Sequence, residues 1–336
     1  MQTLVTSMKK SQYIQIIAIL LTITFAGILI SQISINDLVS TLRNINPAYL
    51  LAGFLLYSCS YFFRSLRFGY LLDNAIRLRD MYRIVCLHNM FNYILPVRSG
   101  ELTYVYLIKK IHGRTAGEGL ATLIISRIFD YILITILFLI SFFLLRDLKM
   151  ISTNAIFLGI AFMLLLLVLL MWFMYKGRSS VHYLERFFGA FRVDQHRAGN
   201  FILRKCDETV QCIEHLKETK QGMWYPLIIS TLGVWLSIYT MNFVLILAMN
   251  IQLTYIAVIF ASTFAILTTV LPVQGMGNFG TLEAGWTLGF IAVGVSQDAA
   301  ISSGFIYHFI VILYFAIWGV WGFLALRKNN LFTFSA

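Results

Sequence analysis

The sequence predicts an all-α polytopic membrane protein, with about six spanning helices and two re-entrant broken-helix hairpins in an inverted-repeat arrangement. Three observations point there. The first is composition. Of 336 residues, 59% are apolar and 12% are charged, and the mean hydropathy is +0.78. A soluble domain carries about twice that charged fraction. The second is a series of long apolar runs, each near or above the roughly 20 residues that a helix needs to cross a bilayer. The third is a broken apolar segment built on Leu-Pro-Val, which occurs twice. Ten-residue segments of alternating polarity, the mark of a transmembrane barrel, are absent from the sequence.

The runs fall at about 11–30, 47–68, 116–145, 152–174, 223–249 and 297–326. The first follows Lys9 and Lys10 and resembles a signal sequence. No small-residue cleavage pattern follows it, so a retained span with a cytoplasmic N-terminus is expected. Basic residues set the orientation of the rest. Arg64, Arg67, Arg77, Arg79 and Arg83 close or follow the second run. Lys109, Lys110 and Arg114 precede the third, Lys176 and Arg178 follow the fourth, and Arg327 and Lys328 follow the sixth. The loops around 31–46, 146–151 and 250–252 carry fewer basic residues, Arg43, Arg146 and Lys149. Six spans put every basic cluster on the cytoplasmic side, with both termini there and the protein in the cell membrane, inner or plasma. The net charge of +11 then reflects cytoplasmic loops and anionic headgroups, not a nucleic-acid partner.

Two segments do not fit as ordinary spans. Residues 80–111 have basic flanks at both ends, and their apolar arms, about 81–95 and 102–108, are too short to cross twice. A hairpin that enters and leaves from the cytoplasm satisfies both facts, with Pro96 and Gly100 at its tip. Residues 252–293 repeat the theme with Pro272, Gly275, Gly277, Gly280 and Glu283, and their ends carry no basic residue. Here the first arm is long enough to be a span in its own right. The segments align as copies. Arg127 stands 26 residues after Glu101, and His308 stands 25 after Glu283. The repeating unit is span, broken hairpin, span, over about 47–145 and 223–326. The second span runs inward and the fifth outward, so the copies are inverted, which places a site near the midplane between the breaks. The chain is thus one integral membrane domain over 1–336. Its single sizeable excursion, 176–222, reads as one or two amphipathic helices on the cytoplasmic surface, with Val210, Ile213 and Leu216 at helical spacing.

Ionisable groups at membrane depth are costly and face a partner or a wet cavity. Arg98 and Glu101 sit at the first break. Arg98 is expected to hold a phosphate or carboxylate beside the free N–H groups of the following half-helix, and Glu101 to cap that helix or neutralise Arg98. Arg127 and Asp130 are i, i+3 on one helix face and read equally as an internal ion pair or as cavity groups. Arg64 and Arg67 share a face at the cytoplasmic end of their span. Snorkelling is the main expectation for them, with a secondary role in drawing anionic headgroups. Glu283 reads as a cap or a polar lining group. His308 reads as a buried hydrogen bond, with proton coupling as the lesser reading. Asn89, Asn92 and Asn278 could satisfy backbone freed at the breaks. Cys59, Cys86, Cys206 and Cys212 have no metal-site spacing, so free thiols, no metal and no cofactor are expected. There is no G-x-S-x-G, HExxH or Walker motif, and nothing suggests coupling to ATP.

The runs "PVRSGELTYVYLIKK", "GLATLIISRIFDYI" and "LPVQGMGNFGTLEAG" together resemble the lysylphosphatidylglycerol synthase transmembrane-region family, also called flippase-like. The resemblance covers about 10–326. By position, Arg98, Glu101, Arg127 and Asp130 match its first motif pair, and Pro272, Gly277 and Glu283 match the second. It implies translocation of lipid between leaflets. No synthase domain accompanies the membrane region in this sequence, so lipid synthesis is not implied. The second motif carries no arginine, which departs from a symmetric pair of phosphate clamps.

The expected function is translocation of an anionic phospholipid or polyprenyl-phosphate-linked headgroup, by transport and not catalysis. Two alternatives stand beside it. One is a membrane-embedded transferase or phosphatase acting on a lipid-linked phosphate. The other is a scaffold for a glycosyltransferase or another lipid-modifying enzyme. An oligomer is compatible with any of these.

Overall fold

The computed structural model describes residues 45–95, 100–145, 175–190, 197–219, 224–268 and 276–328, with seven further positions between 161 and 172. The expected first span, most of the fourth, and Pro96, Arg98, Pro272 and Gly275 lie outside the described residues. No strand occurs among the described residues.

The first half opens with α1 (Pro47–Leu71). Asn46 caps it by accepting from the Ala48 N–H at 2.9 Å, and Pro47 occupies the first turn, where a missing N–H costs nothing. Asp73 and Asn74, both with left-handed backbone, turn the chain. Helix α2 (Leu78–Ile94) stops at Leu95, whose backbone is extended (φ −82°, ψ 136°). That is the conformation imposed on a residue that precedes a proline. Helix α3 (Glu101–His112) ends in a left-handed Gly113 with Lys109, Lys110 and His112 in its last turn, where cations favour the helix dipole. A Thr115–Glu118 capping box starts α4 (Ala116–Leu144).

The excursion over 176–222 holds two helices among its described residues, α5 (Gly177–Ala190) and α6 (Arg197–Thr219). They are docked, not loose. Ile213 is buried with Leu71, Ala121, Ile125 and Leu227, and Gly117 of α4 lies against the Glu208 backbone.

The second half repeats the order: α7 (Trp224–Ala248), α8 (Tyr255–Thr268), a 3-10 turn at Met276–Asn278, α9 (Thr281–Ala292) and α10 (Gln297–Lys328). Helices α4, α7 and α10 are long and apolar enough to cross a membrane. Helix α1 matches α7 at 25 residues but is less apolar. At 1.5 Å per residue, α3 and α9, of 12 residues each, reach only about 18 Å of the roughly 30 Å hydrocarbon core. The first arm of the second segment is α8, of 14 residues, or about 21 Å. The described part of this arm runs to Thr268, and residues 269–275 lie outside the described residues.

Packing follows the repeat. Helix α1 lies along α7, its own equivalent, antiparallel, with Phe63 on Gly233 and Leu245 on Gly53. Contacts between the halves come in exchanged pairs, α2 with α10 and α8 with α4. The contacts α2–α3 and α3–α4 recur as α8–α9 and α9–α10.

Candidate functional site

Three polar constellations lie inside this apolar scaffold. The first locks three helices together. Arg67 of α1 donates to Asp130 of α4 through both terminal nitrogens, Nη1 to Oδ1 at 2.6 Å and Nη2 to Oδ2 at 3.2 Å. Trp235 Nε1 of α7 donates to the same Oδ1 at 2.7 Å, and Arg67 Nη1 also reaches Thr231 at 3.2 Å. Arg67 and Asp130 are almost completely buried. The snorkelling expected of Arg67 is therefore wrong. A carboxylate 63 residues later in the chain holds it inside the protein, and a bidentate pair outweighs hydration at the interface.

The second constellation surrounds a cavity of about 140 Å³ between α1, α2, α4, α7, α8, α9, α10 and the 3-10 turn. That volume has room for roughly ten waters, so the cavity can be wet. Arg64 and Arg127 are the charged residues on its wall. Asn89, Asn92, Asn242 and Asn278 supply amides, and Tyr57, Tyr61, Tyr93, Trp286 and Tyr307 supply rings. Arg127 Nη2 pairs with Glu101 Oε1 at 2.8 Å, while its distance to Asp130, its i+3 neighbour, is 3.9 Å. Arg64 Nη1 donates to the neutral Asn89 Oδ1 at 2.5 Å, and Arg64 Nε has no partner among the described residues. Arg64 forms no ion pair with any described residue. Snorkelling is wrong for it too, because it turns into the cavity. The first break, 96–99, whose backbone Asn89 and Asn92 could satisfy, lies outside the described residues. Asn89 bridges Arg64 and the Val85 carbonyl of its own helix, and Asn92 Oδ1 has no partner among the described residues.

The electrostatic balance is uneven. Arg64, Arg67 and Arg127 meet two described carboxylates, Glu101 and Asp130. Among the described residues on the cavity wall, this leaves Arg64 without a carboxylate of its own. In a region of low dielectric this charge attracts an anion.

The third constellation pairs the other acid and base that the repeat brought into register. Glu283 Oε1 lies 2.5 Å from His308 Nδ1, and Glu283 Oε2 accepts from the Gly280 N–H at 2.8 Å. Both side chains are fully buried. Glu283 is thus a cap with a buried partner and is not on the cavity wall. Gly277 provides a left-handed turn (φ 67°) in the 3-10 segment, and Gly100 lies in backbone contact with Asn92.

Sequence reasoning does not single out Asn242, Trp235 or the tyrosines of α1. One signal was present: Asn242 is the lone amide in the apolar run of α7, and a polar group there has to find a partner or a cavity.

No curated protein and no solved structure matches the chain at a level that carries an assignment. A family model described as the lysylphosphatidylglycerol synthase TM region matches residues 15–319, which include both halves of the repeat and the cavity between them. The chain belongs to that family of lipid-related membrane domains.

Proposed function

We propose that the protein is a lipid translocase of the cell membrane, which passes an anionic phospholipid or lipid-linked headgroup through the cavity between its halves. The two breaks are the tips of re-entrant hairpins that enter from opposite sides. The observation that carries this reading is Arg64, which has no ion-pair partner among the described residues and faces an amide-rich cavity between the repeats with room for water. Ligand pockets for whole small molecules run to about 300–1,000 Å³. The cavity, at about 140 Å³, suits a headgroup whose acyl chains stay in the bilayer. Arg127, held by Glu101, is the second headgroup contact. Arg98, placed by the sequence at the first break, adds a further cation.

Proteoliposomes carrying fluorescent phosphatidylglycerol test this. Dithionite bleaching reads the fraction that changes leaflet. Arg64→Ala and Arg98→Ala should each reduce the flipping rate by tenfold or more, at ~1.4 kcal/mol per tenfold, while the purified variants keep the wild-type melting temperature. Wild-type flipping in both variants would refute the assignment. Chemical turnover of the probe by wild-type protein, seen by mass spectrometry, would favour the transferase or phosphatase reading.

A further inference from the structure

The Glu101–Arg127 pair has a counterpart in the second half that differs in one chemical respect. In both halves an acid in the first turn of the short helix contacts a base on the following long helix. In the first half the base is a guanidinium, which never gives up its proton in a protein. In the second it is the imidazole of His308, which exchanges one readily.

The surroundings make that difference matter. His308 and Glu283 are fully enclosed. His308 Nε2 has no partner among the described residues, and the ring lies 4.4 Å from that of Phe279. A neutral His308 beside an ionised Glu283 buries a net negative charge, which is expensive at this depth. One proton added at Nε2 makes an imidazolium–carboxylate pair. Its net charge is then zero, the same as that of Glu101 with Arg127. The proton is drawn from hydronium and returns to water, with only the Nε2–H bond made and broken.

We propose that the Glu283–His308 pair is a proton-binding site, and that the proton loaded there is the coupling ion for translocation. The first clause stands alone, and the second rests on the translocase reading. The pair borders the cavity without lining it. Leu282 and Tyr307, its chain neighbours, are on the cavity wall, and Trp286 stacks on Tyr307 at 4.1 Å. Proton exchange therefore requires α9 and α10 to part, so loading is tied to a conformational step.

The elements packed on α10 are α9, α2 and α1. Helix α9 offers Glu283. From α2 come Tyr93, stacked on Phe315, and His88, bonded to the Gly100 carbonyl at 3.2 Å. Arg83, also on α2, lies beside Gly322 and is paired with Asp80 at 2.8 Å. Helix α1 offers Tyr57 and Arg64, both at the cavity. Among the described residues, Glu283 alone bonds the imidazole.

Infrared difference titration of the full-length protein, in vesicles of phosphatidylglycerol and phosphatidylethanolamine, tests the site. An imidazole band should titrate in the wild type and be missing in His308→Gln, which keeps the hydrogen bond to Glu283. Arg at the same position (His308→Arg) installs the fixed charge of the first half and serves if the glutamine variant does not fold. Flipping of fluorescent phosphatidylglycerol in the same vesicles should vary with pH by up to about tenfold per unit, and the variants should lose that dependence. Absence of a His308-dependent band overturns the site. Wild-type flipping that ignores pH overturns the coupling. A band that titrates in protein that flips no probe at any pH sinks the translocase reading and supports the proton site.

Discussion

Arg64 and Arg67 stand one turn apart on α1 and do opposite things. Arg67 is consumed by Asp130 and Trp235, so its charge is satisfied and unavailable. Removing one partner of such a buried pair strands the other charge, at a cost of about 3–5 kcal/mol. Arg67→Ala should therefore lower the melting temperature in detergent sharply. Arg67→Met with Asp130→Leu, which removes both charges at similar volume, should restore most of it. Equal melting temperatures for the single and double variants would show that the lock contributes little. Arg64→Ala strands no carboxylate, and its loss should appear in flipping and not in stability. This distinction was not legible in the sequence. Helical spacing pairs Arg127 with Asp130, but the stronger partners of Asp130 come from residues 63 and 105 positions away. Only folding brings those together. Position along a span suggested depth for Arg64 and Arg67, while the neighbours across the helix interface decided their orientation. The near-equal spacings of Glu101 to Arg127 and Glu283 to His308 were legible and align the copies, but the contacts themselves were not: by sequence Glu101 is a cap or a partner of Arg98, and Arg127 a partner of Asp130.

The breaks depend on the same economy of backbone and side chain at the level of helices. Leu95 is extended because Pro96 follows it, and the paired short helices then pack at backbone distance. A Cβ on Gly289 of α9 would collide with the carbonyl of Ala261 on α8. Helix α8 and helix α9 close together only because glycine is there. Overpacking of this kind costs about 1–3 kcal/mol. Gly289→Val should reduce thermal stability by a comparable amount, while Leu288→Val, at a site that is 63% exposed, should leave it nearly unchanged. Similar losses from both would point to β-branching in the helix and not to the close approach. Much of this level could be read from sequence, since proline and glycine punctuate apolar runs plainly.

At the scale of the whole molecule, the two halves share element order, the α1–α7 axis and the exchanged pairs α2–α10 and α4–α8. The proposed inverted repeat would present one broken segment to each side of the membrane. The charges fit that proposal: Arg79 and Lys109 flank the first broken segment, whereas Gln252 and Gln297 flank the second. All four side chains are exposed. Single cysteines at these positions, in a background with Cys59, Cys86, Cys206 and Cys212 replaced by alanine, convert the inversion into an accessibility pattern. A membrane-impermeant maleimide should label Arg79→Cys and Lys109→Cys only in inside-out vesicles, and Gln252→Cys and Gln297→Cys only in right-side-out vesicles. Labelling of all four from one side would make the repeat parallel. The cavity would then no longer lie between hairpins from opposite faces, and alternating exposure of Arg64 and Arg127 to the two leaflets would lose its structural basis. The opposite-sided pattern would make the asymmetry between a fixed Arg127 and a titratable His308 an asymmetry across the membrane, which is the arrangement a proton gradient can act on.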